Sequence, residues 1–430
     1  VLRPSSLPDR RRRGTYTSTR TASAETPYII TLRPESHELL DLDWDRSIME
    51  WTTSHLVELP RGISRHNVRF VAFDDRTYAV KELPSRAARR DHEVLQHLES
   101  LAGPAVRPVG LVIRSDRDPD CEEAAVVISR YLDYSFSYRE LISGAGFGDR
   151  RNQLLDAFAW LLVELHLLGC VWRDCSLSNV LYRYDAGAIE TTLVDAETAA
   201  IHPRLSDGQR LEDIEIMVEN VAGEMGDIAA SQGRSLDEAD LEMGEDIAER
   251  YRALWAELQV DERVPKDQHY KIADGIQRLN DLGMEVAEVK VLPLPDGDQV
   301  QFKLKVADRN FHSNRLRELT GVEARENQAR QILSDLRYFE AKHRPSAEQG
   351  QPGPAPALMA ARWRVEAFEP MLRKLANKIP PGADPVQAYC DLLHHRYLLS
   401  VNASQDIDTE TALADWLAAG RPGYPIAVSP

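Results

Sequence analysis

The chain has 430 residues, of which 43% are hydrophobic and 28% charged; these values exclude a mainly disordered or fibrous protein, and the length predicts two to four domains at about 100–200 residues each. The net charge of −17 argues against a general nucleic-acid or anionic-membrane binder. Four cysteines (Cys121, Cys170, Cys175, Cys390) show no paired spacing, so neither a disulfide framework nor a zinc site is expected, and a reducing cytoplasm is.

Residues 1–26 are rich in Ser, Thr, Pro and Arg, with six arginines against two acids, and read as a disordered tail. No apolar segment follows Arg10 to Arg13, so this is not a secretory signal. Strand-like runs then appear at Tyr28–Leu32, His55–Leu59, Val68–Phe73 and Thr77–Leu83, with Asp74-Asp75-Arg76 as a tight turn between the last two. Ser85 can cap a helix to about Leu101, with Val94, Leu95, Leu98 and Leu101 on one face. Strands are expected at Val109–Arg114 and Ala124–Ser129, then helices at Arg139–Ile142 and Arg151–Leu168. The most apolar run, Leu154 to Trp172, carries Asp156, Glu164 and His166 and suits a buried helix better than a bilayer span.

Residues 206–259 hold 15 acidic and 4 basic residues and read as helices with a solvated acidic face; a docking surface for a basic partner is the alternative. Beyond them, His269–Leu282 is helical, and Glu288–Leu294 and Gln299–Val306 alternate about Asp296-Gly297-Asp298 as a hairpin. A helix-rich block spans Leu316–Lys342. Pro345–Pro356 is a Pro/Gly/Gln linker, and amphipathic helices follow at Arg362–Lys378 and Pro385–Ser400. A helix-turn-helix reading of Asp308–Val322 fails on charge, because residues 260–344 carry 15 acids and 15 bases and lack the basic footprint of a nucleic-acid reader.

The chemistry concentrates between Leu165 and Asp195. Trp172-Arg173-Asp174 precedes a tight loop, Asn179 stands five residues after Asp174, and Thr191–Asp195 is a strand ending on a carboxylate. Phosphoryl transfer needs this set: one carboxylate orients the attacking hydroxyl, while an amide oxygen and a second carboxylate hold Mg²⁺ against nucleotide phosphates. His166 reads as a packed, hydrogen-bonded core residue and Cys175 as a packed small residue rather than a reactive thiol. Asp207 and Asp213 read as capping or surface acids, and Glu197 as a further metal candidate.

These residues resemble the protein-kinase-like superfamily over roughly residues 55–255. Trp172-Arg173-Asp174 with Asn179 is similar to its catalytic loop (H-R-D-x-x-x-x-N), and Asp195-Ala196-Glu197 stands where D-F-G would be. Ala79-Val80-Lys81 is similar to the strand carrying the nucleotide lysine. Glu93 sits where a helix glutamate would pair with Lys81, with Glu99 and Glu82 as alternatives. His is replaced by Trp172, D-F-G reads D-A-E, no A-P-E segment follows, and the segment Pro60–Asn67 has one glycine, so Arg65 or His66 would supply phosphate contacts. These departures resemble atypical kinases such as the bacterial lipopolysaccharide-core sugar kinases. The whole chain resembles an uncharacterised actinobacterial family that joins such a domain to a C-terminal domain of unknown function.

The resemblance implies an α+β protein: a bilobal kinase-like domain at 27–258, its first lobe ending near 130, then a smaller, mainly helical domain with a β-hairpin at 259–430. It implies ATP and Mg²⁺ as cofactors, with Asp174 as base, Asn179 and Asp195 as metal ligands, and Lys81, Glu93 and Arg65 at the nucleotide. The expected partners are a nucleotide and an unknown phosphate acceptor, without nucleic acid or a membrane span. The alternative is a pseudokinase that regulates a protein partner.

Overall fold

Alternation of apolar and polar residues sets the first sheet, because successive strand side chains point to opposite faces. The computed structural model describes residues 17–18, 27–59, 65–143, 147–259, 261–265, 270–293, 299–306, 309–343 and 356–423. The tail expected at 1–26, most of the linker at 345–356, the turn at 296–298 and residues 60–64 of the lone-glycine segment Pro60–Asn67 lie largely or wholly outside them. Two compact units emerge: one holds residues up to 99, 105–131 and 195–199, the other 100–104, 132–194 and 200 onward.

In the first unit, strands β1 (Thr17–Ser18), β2 (Tyr28–Leu32), β3 (Leu56–Val57), β4 (Val68–Phe73), β5 (Arg76–Leu83), β6 (Pro108–Arg114) and β7 (Ala125–Arg130) form one antiparallel sheet. Their order is β1-β2-β6-β7-β5-β4-β3. The expected β4–β5 turn is present, with Asp74 at a φ of 50°, a conformation that Asp tolerates better than most residues. Trp44, Ile48, Val80, Val112 and Ile128 pack one face of the sheet. Helix α1 (Ser85–Ser100) follows β5 and buries Ala88, Asp91, Val94, Leu95 and Leu98.

The second unit opens with α2 (Tyr138–Ser143) and α3 (Phe147–Leu167), the predicted buried helix. Gly169 ends it at a φ of 79°, and an added Cβ there would meet the carbonyl oxygen of His202 at 2.0 Å; only glycine fits this turn. The chain continues through β8 (Cys170–Val171), β9 (Val180–Asp185), β10 (Ala188–Leu193) and β11 (Ala200–Ile201), with β9 paired to β10 and β8 to β11.

The acidic stretch forms α4 (Asp207–Ser231) and α5 (Glu238–Leu258), each opened by a capping box. Next come β12 (Asp261–Pro265), α6 (Tyr270–Asp281), β13 (Val286–Pro293) and β14 (Gln299–Val306), a three-stranded sheet in the order β12-β14-β13. The final helices are α7 (Phe311–Thr320), α8 (Glu326–His343), α9 (Pro356–Trp363), α10 (Glu369–Ala376), α11 (Pro385–Ala403) and α12 (Thr409–Ala418). The single helix expected at 362–378 is interrupted by a π-turn, Arg364–Phe368, just before Pro370, which has no N–H to continue the ladder. Ile332, Trp363, Phe368, Tyr389 and Trp416 share one core with Ala186 of the β9–β10 turn. The helices beyond 259 therefore belong to the same compact unit as residues 132–194. The molecule is α+β, an antiparallel-sheet unit and a mainly helical one. Among the described residues no helix is long and apolar enough to cross a membrane.

Candidate functional site

In the first unit, β5 presents Lys81 on the sheet face opposite Glu82. Its Nζ lies 2.6 Å from Asp195 Oδ2, with the two side chains 13% and 14% exposed. Burial opposes the lysine's charge, but Asp195 and Asp91 outweigh it and hold its pKa above the ordinary value. Asp91 is the α1 acid in this cluster. It is buried, accepts a hydrogen bond from the Ala196 amide at 2.7 Å, and is raised by burial to about 7 despite the nearby Lys81 ammonium.

Glu93, the expected partner of Lys81, is exposed on α1. The reason is helical phase: Ala88, Asp91, Leu95 and Leu98 share the buried stripe, and Glu93 is two residues off it. Glu82 and Glu99 are engaged elsewhere, with Arg114 and with Arg33 and Arg107 respectively. That stripe, read as a phase rather than as a motif offset, was the signal for Asp91.

Around the same lysine, His66 Nε2 lies 3.2 Å from Glu197, and His66 Nδ1 lies 2.6 Å from Glu122. Burial works against the imidazolium, yet Glu197 and Glu122 outweigh it and raise the His66 pKa; His66 in turn lowers that of Glu197. Arg65, 71% exposed, reaches Glu197 at 3.2 Å. His66, Asp195 and Glu197 offer ligand atoms that all lie within 4.8 Å of one another, a donor set of oxygens and one imidazole that fits a divalent cation.

In the second unit, Asp174 and Asn179 are bonded to each other. Asn179 Nδ2 donates to Asp174 Oδ2 at 3.1 Å and to the Asp174 carbonyl at 3.2 Å. The loop that carries them is clamped by α4. Asp213 accepts from the amides of Trp172 at 2.6 Å and Arg173 at 2.8 Å, and Glu224 from those of Leu177 at 2.8 Å and Ser178 at 2.9 Å. Asn220 donates to the Cys175 carbonyl at 3.1 Å and to Asp174 Oδ1 at 3.5 Å. Arg173 sits at a φ of 67°, a strained conformation for a residue with a side chain, and the two bonds to Asp213 hold it there.

Asp213 is therefore a buried acid rather than a capping or surface one, because its position is in phase with Ile214, Met217 and Val221 on the buried face of α4. Asp207, at the first turn, pairs with Arg210 and is exposed. The sequence reading missed Asp213, Asn220 and Glu224 because it averaged charge over the whole stretch; their spacing of 7 and 4 residues places them on one helical face.

His166 is packed as expected, with Nδ1 at 2.7 Å from the Tyr251 hydroxyl and Nε2 at 3.2 Å from Asp213; burial pushes its pKa down. Trp172, in the place of a histidine, is fully buried and stacks on Phe158. Cys175 is fully buried, and burial pushes its thiol well above the ordinary value, which makes it inert.

A family model described as "Domain of unknown function (DUF4032)" matches residues 253–420. No curated protein matches the chain. Among solved structures it is similar to "WaaP in complex with acyl carrier protein", at 16% identity and a TM-score of 0.36, over 59% of this chain and 98% of that one.

Proposed function

We propose that the protein is an ATP- and Mg²⁺-dependent phosphotransferase of the atypical kinase type. The reading is carried by the bonded Asp174–Asn179 pair on a loop that α4 fixes through four backbone amides. Support comes from the chain order Lys81, Asp174, Asn179, Asp195 and from the Lys81–Asp195 ion pair. In this reading Lys81 holds nucleotide phosphates, and Asp91 takes the place expected of Glu93 in orienting Lys81. Asp174 orients and deprotonates the acceptor hydroxyl. On the first unit Asp195 is the metal donor, with Glu197 and His66 as further donors and Arg65 at its rim; on the second, Asn179 is the metal donor beside Asp174. The metal would neutralise charge developing on the transferred phosphoryl group.

The test has two parts. Mg·ATP at about 100 times its dissociation constant should stabilise the protein by roughly 2.7 kcal/mol, and Lys81→Ala and Asp195→Ala should each remove that stabilisation. Asp174→Asn should leave it intact while slowing phosphate transfer, or background ATP hydrolysis, by about 10²–10⁴-fold. A wild-type protein that binds Mg·ATP, turns nothing over and complements a deletion strain no better than Asp174→Asn would instead be a regulatory pseudokinase.

A further inference from the structure

The β9–β10 hairpin runs from the candidate loop into the core of the C-terminal helices. At its base, β9 begins at Val180, directly after Asn179, and the Val194 amide donates to the Asn179 carbonyl at 3.1 Å. Six register pairs, from Val180↔Leu193 to Asp185↔Ala188, couple the two strands. At its tip, Ala186 and Gly187 both have positive φ, 46° and 88°, the pattern of a tight two-residue turn whose twist matches the strands.

Three consecutive tip residues are held by the C-terminal helices. Asp185, fully buried, accepts from the amides of Asn327 at 3.0 Å and Gln328 at 2.8 Å, and from Asn327 Nδ2 at 3.0 Å. Those amides belong to the first turn of α8, which has no intrahelical acceptor for them. Asp185 therefore caps α8 from another part of the chain, and its negative charge suits that end of the helix. The Ala186 amide donates to Gln387 Oε1 of α11 at 3.0 Å, and Arg325 donates to the Tyr184 carbonyl at 3.0 Å. Gln328 Nε2 joins α8 to α11 by donating to the same Gln387 oxygen at 3.0 Å. Solvent-exposed hairpin tips need none of this, and a buried carboxylate is retained only where its acceptors are used.

We propose that Asp185 and Gln387 are positioning residues: through them α8 and α11 hold the hairpin, and the hairpin holds the Asp174–Asn179 loop. The helices matched by the family model of unknown function would thus be a working part of the candidate site. Its catalytic consequence rests on the phosphotransferase reading; the mechanical coupling does not.

Amide hydrogen exchange on the full-length protein tests the coupling. Asp185→Ala and Gln387→Ala should each speed exchange across residues 177–182 by about tenfold or more, at conditions equally far from global unfolding. Asp185→Asn, which keeps one acceptor, should fall between Asp185→Ala and wild type. Asp335→Asn is the control, because Asp335 bonds Trp363, Tyr389 and Arg396 within the same helices without touching the hairpin; it should leave 177–182 as in wild type. Gln387→Ala serves where Asp185→Ala does not fold. Unchanged exchange at 177–182 in the folded variants, or equal acceleration by Asp335→Asn, overturns the proposal. Exchange needs no catalysis, so an inactive protein with coupled exchange would sink the phosphotransferase reading alone.

Discussion

Lys81 and Glu82 are neighbours on β5, so they stand on opposite faces of the sheet, and each makes a buried ion pair of a different construction. Glu82 meets Arg114 at 2.8 Å with both side chains fully buried. Its carboxylate also accepts from Ser47, from the Ile48 amide and from Asn67, while Arg114 donates to the carbonyls of Trp44, Arg46 and Glu123. Lys81 instead faces Asp195 at 2.6 Å, with Asp91 behind it and a margin of solvent access. The first pair is locked by fixed donors and acceptors on several segments. The second keeps a margin of solvent access, and Asp195 accepts in addition from the Glu197 amide at 3.3 Å. Complete burial separates the first pair from the second.

The largest effect should come from breaking the fully buried pair. Arg114→Met leaves Glu82 buried with its charge uncompensated and should cost about 3–5 kcal/mol of stability. Lys81→Met should cost less than half of that, because Asp91, already raised to about 7, can take up a proton when the ammonium is removed. Urea unfolding of both variants by circular dichroism decides it. Equal losses would erase the distinction between the two faces.

Asp213 extends the comparison to a buried acid held by two backbone amides and His166. Asp213→Ala removes the acceptor of the buried Trp172 amide, at about 1–3 kcal/mol, and with smaller effect that of the part-buried Arg173 amide and of His166 Nε2, so a total loss of about 2–4 kcal/mol is expected. Asp213→Asn retains one acceptor and should lose about half as much. A loss below about 0.5 kcal/mol in the same unfolding measurement would mean that Arg173 holds its strained backbone without help.

The strands of the first sheet were legible because their alternation is local, and so was the β4–β5 turn. Asp174, Asn179, Lys81 and Asp195 were legible as types at a spacing, and the structure pairs Asp174 with Asn179 and Lys81 with Asp195. Glu93 was misplaced because an offset borrowed from a resemblance competed with the helix's own phase, which pointed to Asp91. Asp213 and Glu224 were hidden inside an acidic stretch whose mean charge suggests solvent, although each lies on the apolar face of α4. The capping of α8 by Asp185 could not be read at all: its partners are 142 and 143 residues away, and nothing local announces such a bond.

The smallest predicted effect concerns the second acid on the Lys81 side. Asp91 has a pKa of about 7 in the folded protein, raised first by burial, against about 3.9 in the unfolded chain. Between these values the folded state binds the extra proton, so the contribution of Asp91 to stability is greatest at low pH. It falls as pH rises through the folded pKa and levels off above it. From pH 6 to pH 7 the folded group goes from mostly to half protonated, which lowers stability by about 1 kcal/mol. Asp91→Asn keeps an oxygen for the Ala196 amide and removes the titration. His66 and the remaining groups titrate in both proteins and cancel in the difference. The metal-free variant should therefore gain on wild type by about 2–4 °C in unfolding temperature between pH 6 and pH 7, with little further gain above pH 8. A difference that stays constant across this range would mean that Lys81 keeps Asp91 ionised, and that this side of β5 is as fully compensated as the Glu82–Arg114 side.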